Sequence, residues 1–502
     1  MGITSKDEQT RTDEDRRERA PATGGGAALA EERAGKWTVL LIVAIGVFMA
    51  TLDSSIVNIS LPKISAYFQV SLNGAVEWVI IAYLIVIASI LLTFGRLTDI
   101  MGRKLLWVIG LVIFTVGSAL CGAAPSLALL IAFRAFQGIG GALLMAISPA
   151  MITRAFPASE RGRALGLNAL TVAVGASAGP SIGGVLTQVA SWRWIFYINV
   201  PIGVIGVFLT LKLLSEPMRP RRTSQRFDPA GAGLLSIGMI ALVLALSFGQ
   251  QLGWGTRTVV GLFVGSALVF LLFLLTERHV RQPIVDLKLF RSRLFSAALI
   301  SSFLSFLALF AVTFLLPFYL EQLRGFEPEK AGFLLTPVPL TISVIAPFSG
   351  WLSDRFGSQL LSSLGLAIGS VGLFFLSNLS PHASLVAIIW PLIVTGFGQG
   401  LFQSPNNSAI MGSVPRERLG VASGFLATVR VLGQSLSVAV AGAIFATQGG
   451  AAAGAALIHH VSGPHLSALD TTFIQAFHAA LITCMLIASV GVITSLVRGR
   501  AR

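Results

Sequence analysis

Fourteen apolar stretches, each about 20 residues long and so able to cross roughly 30 Å of hydrocarbon as a helix, run through this chain of 502 residues. They fall near residues 37–59, 75–95, 105–123, 126–150, 163–189 and 194–213, then near 230–250, 257–275, 294–320, 331–352, 360–379, 383–411, 419–447 and 472–497. A water-soluble core cannot absorb that much apolar sequence: 54% of residues are hydrophobic, only 12% are charged, and mean hydropathy is +0.81. The fold class expected is an all-α polytopic membrane protein. Prolines inside a run, as at Pro337, Pro339 and Pro347, are compatible with it, because neighbouring helices re-satisfy the freed backbone groups.

The net charge of +14 would suit a nucleic-acid binder if the bases were clustered, but they are dispersed among short links. Arg96, Arg103 and Lys104, then Arg154, Arg161 and Arg163, then Arg219, Arg221, Arg222 and Arg226 occupy alternate links. So do Arg278, Arg281, Lys288, Arg291 and Arg293, and later Arg416 and Arg418. The intervening links hold isolated bases such as Lys63, Arg193, Arg257, Arg324 and Lys330. This asymmetry puts both termini in the cytoplasm and leaves the lipid bilayer, not nucleic acid, as the partner expected.

Residues 1–35 alternate acids and bases and then run through Pro21 to Gly26, the composition of a disordered cytoplasmic tail. Lys6 stands where N-myristoylation after Met1-Gly2 wants Ser or Thr. Residues 498–502 read as a short basic tail. Cys121 and Cys484 both lie in apolar runs, which indicates neither a disulfide framework nor a metal cluster. His459, His460 and His465 read as solvated, so no metal site is expected.

Two charges inside the apolar runs are costly. Asp53 lies in the outer part of the first run, where an acid at mid-membrane costs about 2.5–3.5 kcal/mol unless water, a partner or a proton offsets it. Arg134 lies about eight residues into the fourth run from the outer side, roughly 12 Å deep. Opposite charges at one depth are expected partners, each shifting the other's protonation; a static structural pair is the plainer alternative. The functional reading has Asp53 take up a proton or a cationic substrate while Arg134 helps proton release. Glu77 and Glu321 fall near the outer ends of their runs, as interfacial acids or a second proton or cation site. Asn58, Gln137, Asn168, Asn199, Gln399, Gln403, Asn406 and Asn407 either line a cavity or bond between helices. Arg430 is a further charge in the thirteenth run, with no partner readable from sequence. The 33 phenylalanines read as lipid-facing or core.

An internal repeat divides the chain. Gly95-Arg96-Leu97-Thr98-Asp99-Ile100-Met101-Gly102 recurs as Gly350-Trp351-Leu352-Ser353-Asp354-Arg355-Phe356-Gly357, Gln137-Gly138 as Gln399-Gly400, and the Arg161 to Gly166 segment as Arg418 to Gly424, at offsets of 255–262 residues. Parallel repeats of this kind are common in transporters. They imply a six-helix half over 36–213, basic links and an inserted helix pair over 214–293, and a second six-helix half over 294–497. The inserted pair has almost no intramembrane charge and reads as scaffold.

These segments together resemble the major facilitator superfamily and, within it, the fourteen-span drug/proton antiporters, over about residues 36–497. Gly95, Leu97, Asp99, Gly102, Arg103 and Lys104 match the family's first-loop pattern G-x-L-x-D-x-x-G-R-K. Arg134, Gln137, Gly138 and Gly140 match R-x-x-Q-G-x-G on the fourth helix, and Leu52, Asp53, Asn58 and Pro62 match the first-helix pattern of the fourteen-span group. Gly166, Gly175, Gly179, Pro180, Gly183 and Gly184 satisfy the fifth-helix antiporter pattern G-x8-G-x3-G-P-x2-G-G, which in the family marks exporters. The resemblance implies that the Asp99 loop latches the two halves on the cytoplasmic side. Asp99 is placed to accept from a helix N-terminus while Arg103 and Lys104 stay at the lipid headgroups. Asp354 is followed by Gly357-Ser358-Gln359 without the paired bases, so its latch is expected to be weaker. Gly175, Gly179 and Gly183 share one helix face and let another helix approach closely, sealing the cavity or simply packing.

No phosphate loop and no nucleophile with a base and orienter are present, which argues against ATP hydrolysis and enzyme activity. The expected function is a monomeric, multi-pass transporter of the bacterial plasma membrane. It would export hydrophobic or cationic drug-like small molecules in exchange for protons by alternating access, with the proton as coupling ion and no cofactor. Export of a lipid or a specific metabolite is the alternative within transport, and a non-transporting sensor or scaffold the alternative outside it.

Overall fold

The computed structural model describes residues 24–70, 75–214, 227–280, 283–285, 287–458 and 466–498. Fourteen of its helices are long and apolar enough to cross a membrane. In the first half they are α1 (Gly24–Phe68), α2 (Trp78–Met101), α3 (Arg103–Ala123), α4 (Leu127–Ala155), α5 (Arg161–Val189) and α6 (Asn199–Leu213, preceded by the short turn Trp194–Tyr197). Then come the inserted α7 (Pro229–Leu252) and α8 (Arg257–Glu277). The second half holds α9 (Arg293–Phe318), α10 (Pro337–Phe356, preceded by Pro328–Leu335), α11 (Ser358–Leu376), α12 (Leu385–Gly412), α13 (Leu419–Thr447) and α14 (Leu466–Val497). Successive helices alternate direction, so the basic links gather on one side, called here the basic face.

Helix boundaries follow local chemistry. Ser126, Asp228, Ser292 and Ser384 cap α4, α7, α9 and α12 by accepting from backbone N–H groups of the first turn. The links α2–α3 and α10–α11 are single glycines, Gly102 at φ 92° and Gly357 at φ 87°. Both stand in the left-handed region, which costs a residue with a Cβ about 1–2 kcal/mol. Pro149 lies within α4, and Pro391 and Pro405 within α12, where packed neighbours tolerate them.

Expected boundaries shift at both ends of α1, which runs on to Phe68 past the end expected near residue 59. The tail over 1–35 gives way to helix at Gly24: Ala27, Ala28, Leu29, Ala30, Glu31, Glu32, Arg33 and Ala34 are strong helix formers that simply extend α1. Residues 1–23 and 499–502, with Lys6, Arg219, Arg221, Arg222, Arg226, Arg281, His459, His460 and His465, lie outside the described residues.

The inserted pair is not symmetric about its surroundings. One continuous apolar core takes in α1 to α5, α7, and the basic ends of α9 and α13. Ser236 of α7 donates to the Ser89 carbonyl of α2 at 2.9 Å, and the Phe248 ring of α7 lies 5.8 Å from that of Trp78. Helix α8 packs outside α7 and exposes Val260, Val264, Leu268, Leu271 and Leu272, a face suited to lipid.

Candidate functional site

Asp53 is fully enclosed, at 0% exposure, and Arg134 is 1% exposed. The Arg134 Nη1 donates to Asp53 Oδ2 at 2.6 Å and to Gln137 Oε1 at 2.5 Å, while its Nε donates to the Val79 carbonyl at 3.0 Å. Gln137 Nε2 donates to Asp53 Oδ1 at 2.9 Å and to Ser118 at 2.6 Å, and Asn199 Nδ2 donates to the same Oδ1 at 3.0 Å. The guanidinium lies over the Tyr83 ring, 4.2 Å from its centroid. Five helices, α1, α2, α3, α4 and α6, thus converge on one carboxylate.

Glycines make that convergence possible. A Cβ on Gly117 would lie 2.8 Å from the Gln137 backbone, and one on Gly140 would lie 2.8 Å from the Gly110 carbonyl, so α3 and α4 cross at backbone contact. That contact brings Gln137 beside Ser118 and Cys121, the latter 3.7 Å from Gln137 Oε1.

The surroundings of the cluster separate the alternatives that the sequence leaves open. Both Asp53 oxygens are already committed to Arg134, Gln137 and Asn199, so in this conformation a cationic substrate cannot reach the carboxylate. Gln137 belongs to this buried network instead of lining an open cavity. Glu77 stands at the outer start of α2, half-buried and without a side-chain cap, and Glu321 is exposed on a π-helical turn, Tyr319–Leu323, at the outer end of α9; neither joins the cluster. Asn58 is exposed, beyond the cluster on α1. Asn406 is not a cavity residue: it donates to the Ala298 carbonyl at 3.0 Å and accepts from Arg498 at 2.9 Å, tying α12 to α9 and to the end of α14. Gln399, Gln403 and Asn407 are half-buried along α12, and Asn168 on α5.

The basic face carries a second arrangement. Asp99, at the end of α2, accepts from the backbone N–H of Gly420 at 2.9 Å and of Val421 at 3.2 Å, the first turn of α13 in the other half. Asp354, its repeat counterpart on α10, accepts from Gly162 at 2.8 Å and Arg163 at 3.0 Å, the first turn of α5. Each acid therefore caps a helix N-terminus of the opposite half, meeting both its free N–H groups and its dipole. Small residues sit beside both: a Cβ on Gly95 would overlap the Gly420 carbonyl, and one on Gly350 the Gly162 carbonyl. Ser404 Oγ donates to the Gly162 carbonyl at 2.7 Å, and Ser423 donates to the Ala146 carbonyl.

The geometry bears on two expectations for this face. Arg103 and Lys104 are buried against protein instead of reaching outward; Arg103 faces Asp99, and Lys104 Nζ donates to the Leu214 carbonyl at 2.5 Å, closing the end of α6. The Asp354 hydrogen bonds are as short as those of Asp99, and Arg161 of the facing helix lies within electrostatic reach of Asp354.

On α5, Gly175 and Gly179 face α1, where a Cβ on either would collide with Thr51 or Ser55, and Ser55 Oγ donates to the Gly175 carbonyl at 3.2 Å. Gly166 instead meets Ala346 and Pro347 of α10, across the halves. Gly184 has open space around it, and the side chain of Pro180 lies outside the described residues. Tyr83 and Ser118 were not singled out by sequence, and Arg161 only as a basic residue of its link and the start of a repeated segment. A tyrosine in an apolar run, in a chain with only four, is the signal that could have marked the first.

Two related helical halves, a buried acid–base cluster in one of them and reciprocal helix caps closing one face define a membrane transporter of the two-domain type. The chain belongs to the Major Facilitator Superfamily, whose profile matches residues 43–438. It is 38% identical over 411 residues to the riboflavin transporter RibZ of Clostridioides difficile (strain 630), covering 82% of this chain and 88% of that protein. It is 34% identical over 408 residues to the multidrug resistance protein Stp of Mycobacterium tuberculosis, covering 81% and 75%. The fold is that of the human organic anion transporter TETRAN, with a TM-score of 0.65 at 14% identity over 92% of this chain and 99% of that one. It is also that of the proton:xylose symporter XylE, at 0.62 and 15% over 92% and 95%. These relatives are transporters, not enzymes, and so is this chain.

Proposed function

We propose that the protein is a proton-driven exporter of hydrophobic, drug-like small molecules, working by alternating access in a bacterial plasma membrane with its basic face and both termini in the cytoplasm. The observation that carries this reading is the enclosed Asp53–Arg134 pair. A proton on Asp53 removes the charge around which Arg134, Gln137 and Asn199 are arranged; loss of that proton restores the pair. A proton and a guanidinium thus compete for one carboxylate, and the winner sets the packing of α1 against α4 and α6. The membrane potential supplies about 2.3 kcal/mol per charge per 100 mV, and a pH gradient about 1.36 kcal/mol per unit.

A cationic substrate is not favoured, since the one deep acid is engaged. Export of a specific metabolite is the second reading, supported by the similarity to a riboflavin transporter. Proteoliposomes with an imposed pH gradient test both. Asp53→Asn should abolish gradient-driven export while protein insertion is retained, and full export by that variant would move proton coupling to Glu77 or Glu321. Riboflavin beside a panel of lipophilic drugs separates one substrate from many.

A further inference from the structure

Arg430 lies in the middle of α13, about 16 Å from its basic end at 1.5 Å per residue. It is half-buried, and it reaches across the halves: its Nη2 donates to Met145 Sδ of α4 at 3.4 Å, and the Tyr83 hydroxyl of α2 lies within its electrostatic reach. Because both neighbours belong to the first half, the accessible part of the guanidinium faces the space between the halves and not lipid. A thioether is a weak acceptor, and among the described residues no carboxylate lies within ion-pair distance of Arg430.

Charge balance then chooses between substrate classes. Away from the two faces, the described interior holds one acid, Asp53, and two bases, Arg134 and Arg430. Asp53 and Arg134 cancel each other, which leaves Arg430 as an uncompensated positive charge. Burying a guanidinium without a counter-charge or full hydrogen bonding is costly, and a planar fork of five donors is matched by carboxylate-like oxygens. A cation arriving in the same space would meet net repulsion. The adjoining Met145, itself half-buried, offers an adaptable thioether to a flat apolar body.

We propose that Arg430 is the specificity-determining residue of the substrate site, and that it seats an anionic oxygen group, a carboxylate or phenolate, carried on a flat apolar molecule. This rests on the export reading above and narrows it. Xanthene dyes test it, because fluorescein (anionic) and rhodamine 6G (cationic) share one ring system. Binding of each to the purified full-length protein is read by fluorescence polarisation, and the ratio of the two affinities within one preparation is independent of the folded fraction.

Wild type should prefer fluorescein by about tenfold or more, which is about 1.4 kcal/mol per factor of ten. Arg430→Gln should erase the preference and Arg430→Lys should retain part of it. Equal binding, preference for the cation, binding of neither dye, or an unchanged ratio in Arg430→Gln overturns the proposal. Should Arg430→Gln not fold, the wild-type ratio and that of Arg430→Lys decide it. Gradient-driven transport of the dyes is measured separately: its absence with the binding ratio intact would refute proton-driven export while leaving the Arg430 site standing.

Discussion

Removing one partner of a buried ion pair costs more than removing both, because the survivor keeps its desolvation penalty without its counter-charge. For Asp53 and Arg134 this gives a directional expectation. Asp53→Asn strands the Arg134 guanidinium and should lower stability by about 3–5 kcal/mol, read as a fall in thermal unfolding temperature in detergent. Asp53→Asn combined with Arg134→Gln should recover part of that loss yet stay inactive in gradient-driven export. If the double variant is no more stable than the single, the pair is not the interaction that holds the cluster. Sequence made these two residues visible because a charge in an apolar run is conspicuous. It did not show that Gln137 and Asn199 complete the coordination of Asp53, since an amide in a helix reads the same whether it faces a cavity or a carboxylate. Nor did it show that Asn406 serves Arg498, whose burial depends on how the end of α14 packs.

At the level of helices, close approach is set by residues without side chains. Gly179→Leu should separate α5 from α1 at Ser55 and reduce export or open a proton leak, whereas Gly184→Ala, with free space around it, should leave both unchanged. Fluorescent pH tracing in proteoliposomes reads the leak directly, and wild-type leak and rate in Gly179→Leu would reduce the contact to tolerant packing. Gly102→Ala and Gly357→Ala should each lower stability by about 1 kcal/mol, because φ at both positions is positive. A shift in unfolding midpoint checks this. The helices themselves were legible almost to their ends, since about 20 apolar residues in a row leave little choice. The start of α1 was not: at Gly24 no change from polar to apolar marks the boundary, and helix propensity carries the turn structure backward from the membrane.

Across the whole molecule, the basic face is held by two contacts of like geometry, so Asp99→Ala and Asp354→Ala should have comparable effects. Loss of a helix cap costs about 0.5–2 kcal/mol, and each variant should raise accessibility of cysteines placed behind this face by up to about tenfold per 1.4 kcal/mol. The double variant should show nearly the product of the two shifts, since the contacts share no residues. A much larger response from Asp99→Ala alone would restore the asymmetry that the missing bases after Asp354 suggest. The repeat was readable as sequence, but the exchange of partners was not, because nothing in a single chain says that an acid of one half seeks the helix end of the other.

That exchange gives the fold the logic of a two-fold dimer contact written into one polypeptide. In a true symmetric dimer a substitution appears in both contacts at once; here the two contacts are built from separate residues of one chain and are uncoupled. Either acid can be lost while the other still holds its helix end, so the closed face fails by halves. The two contacts accordingly need not match residue for residue, as the links after Asp99 and Asp354 already differ.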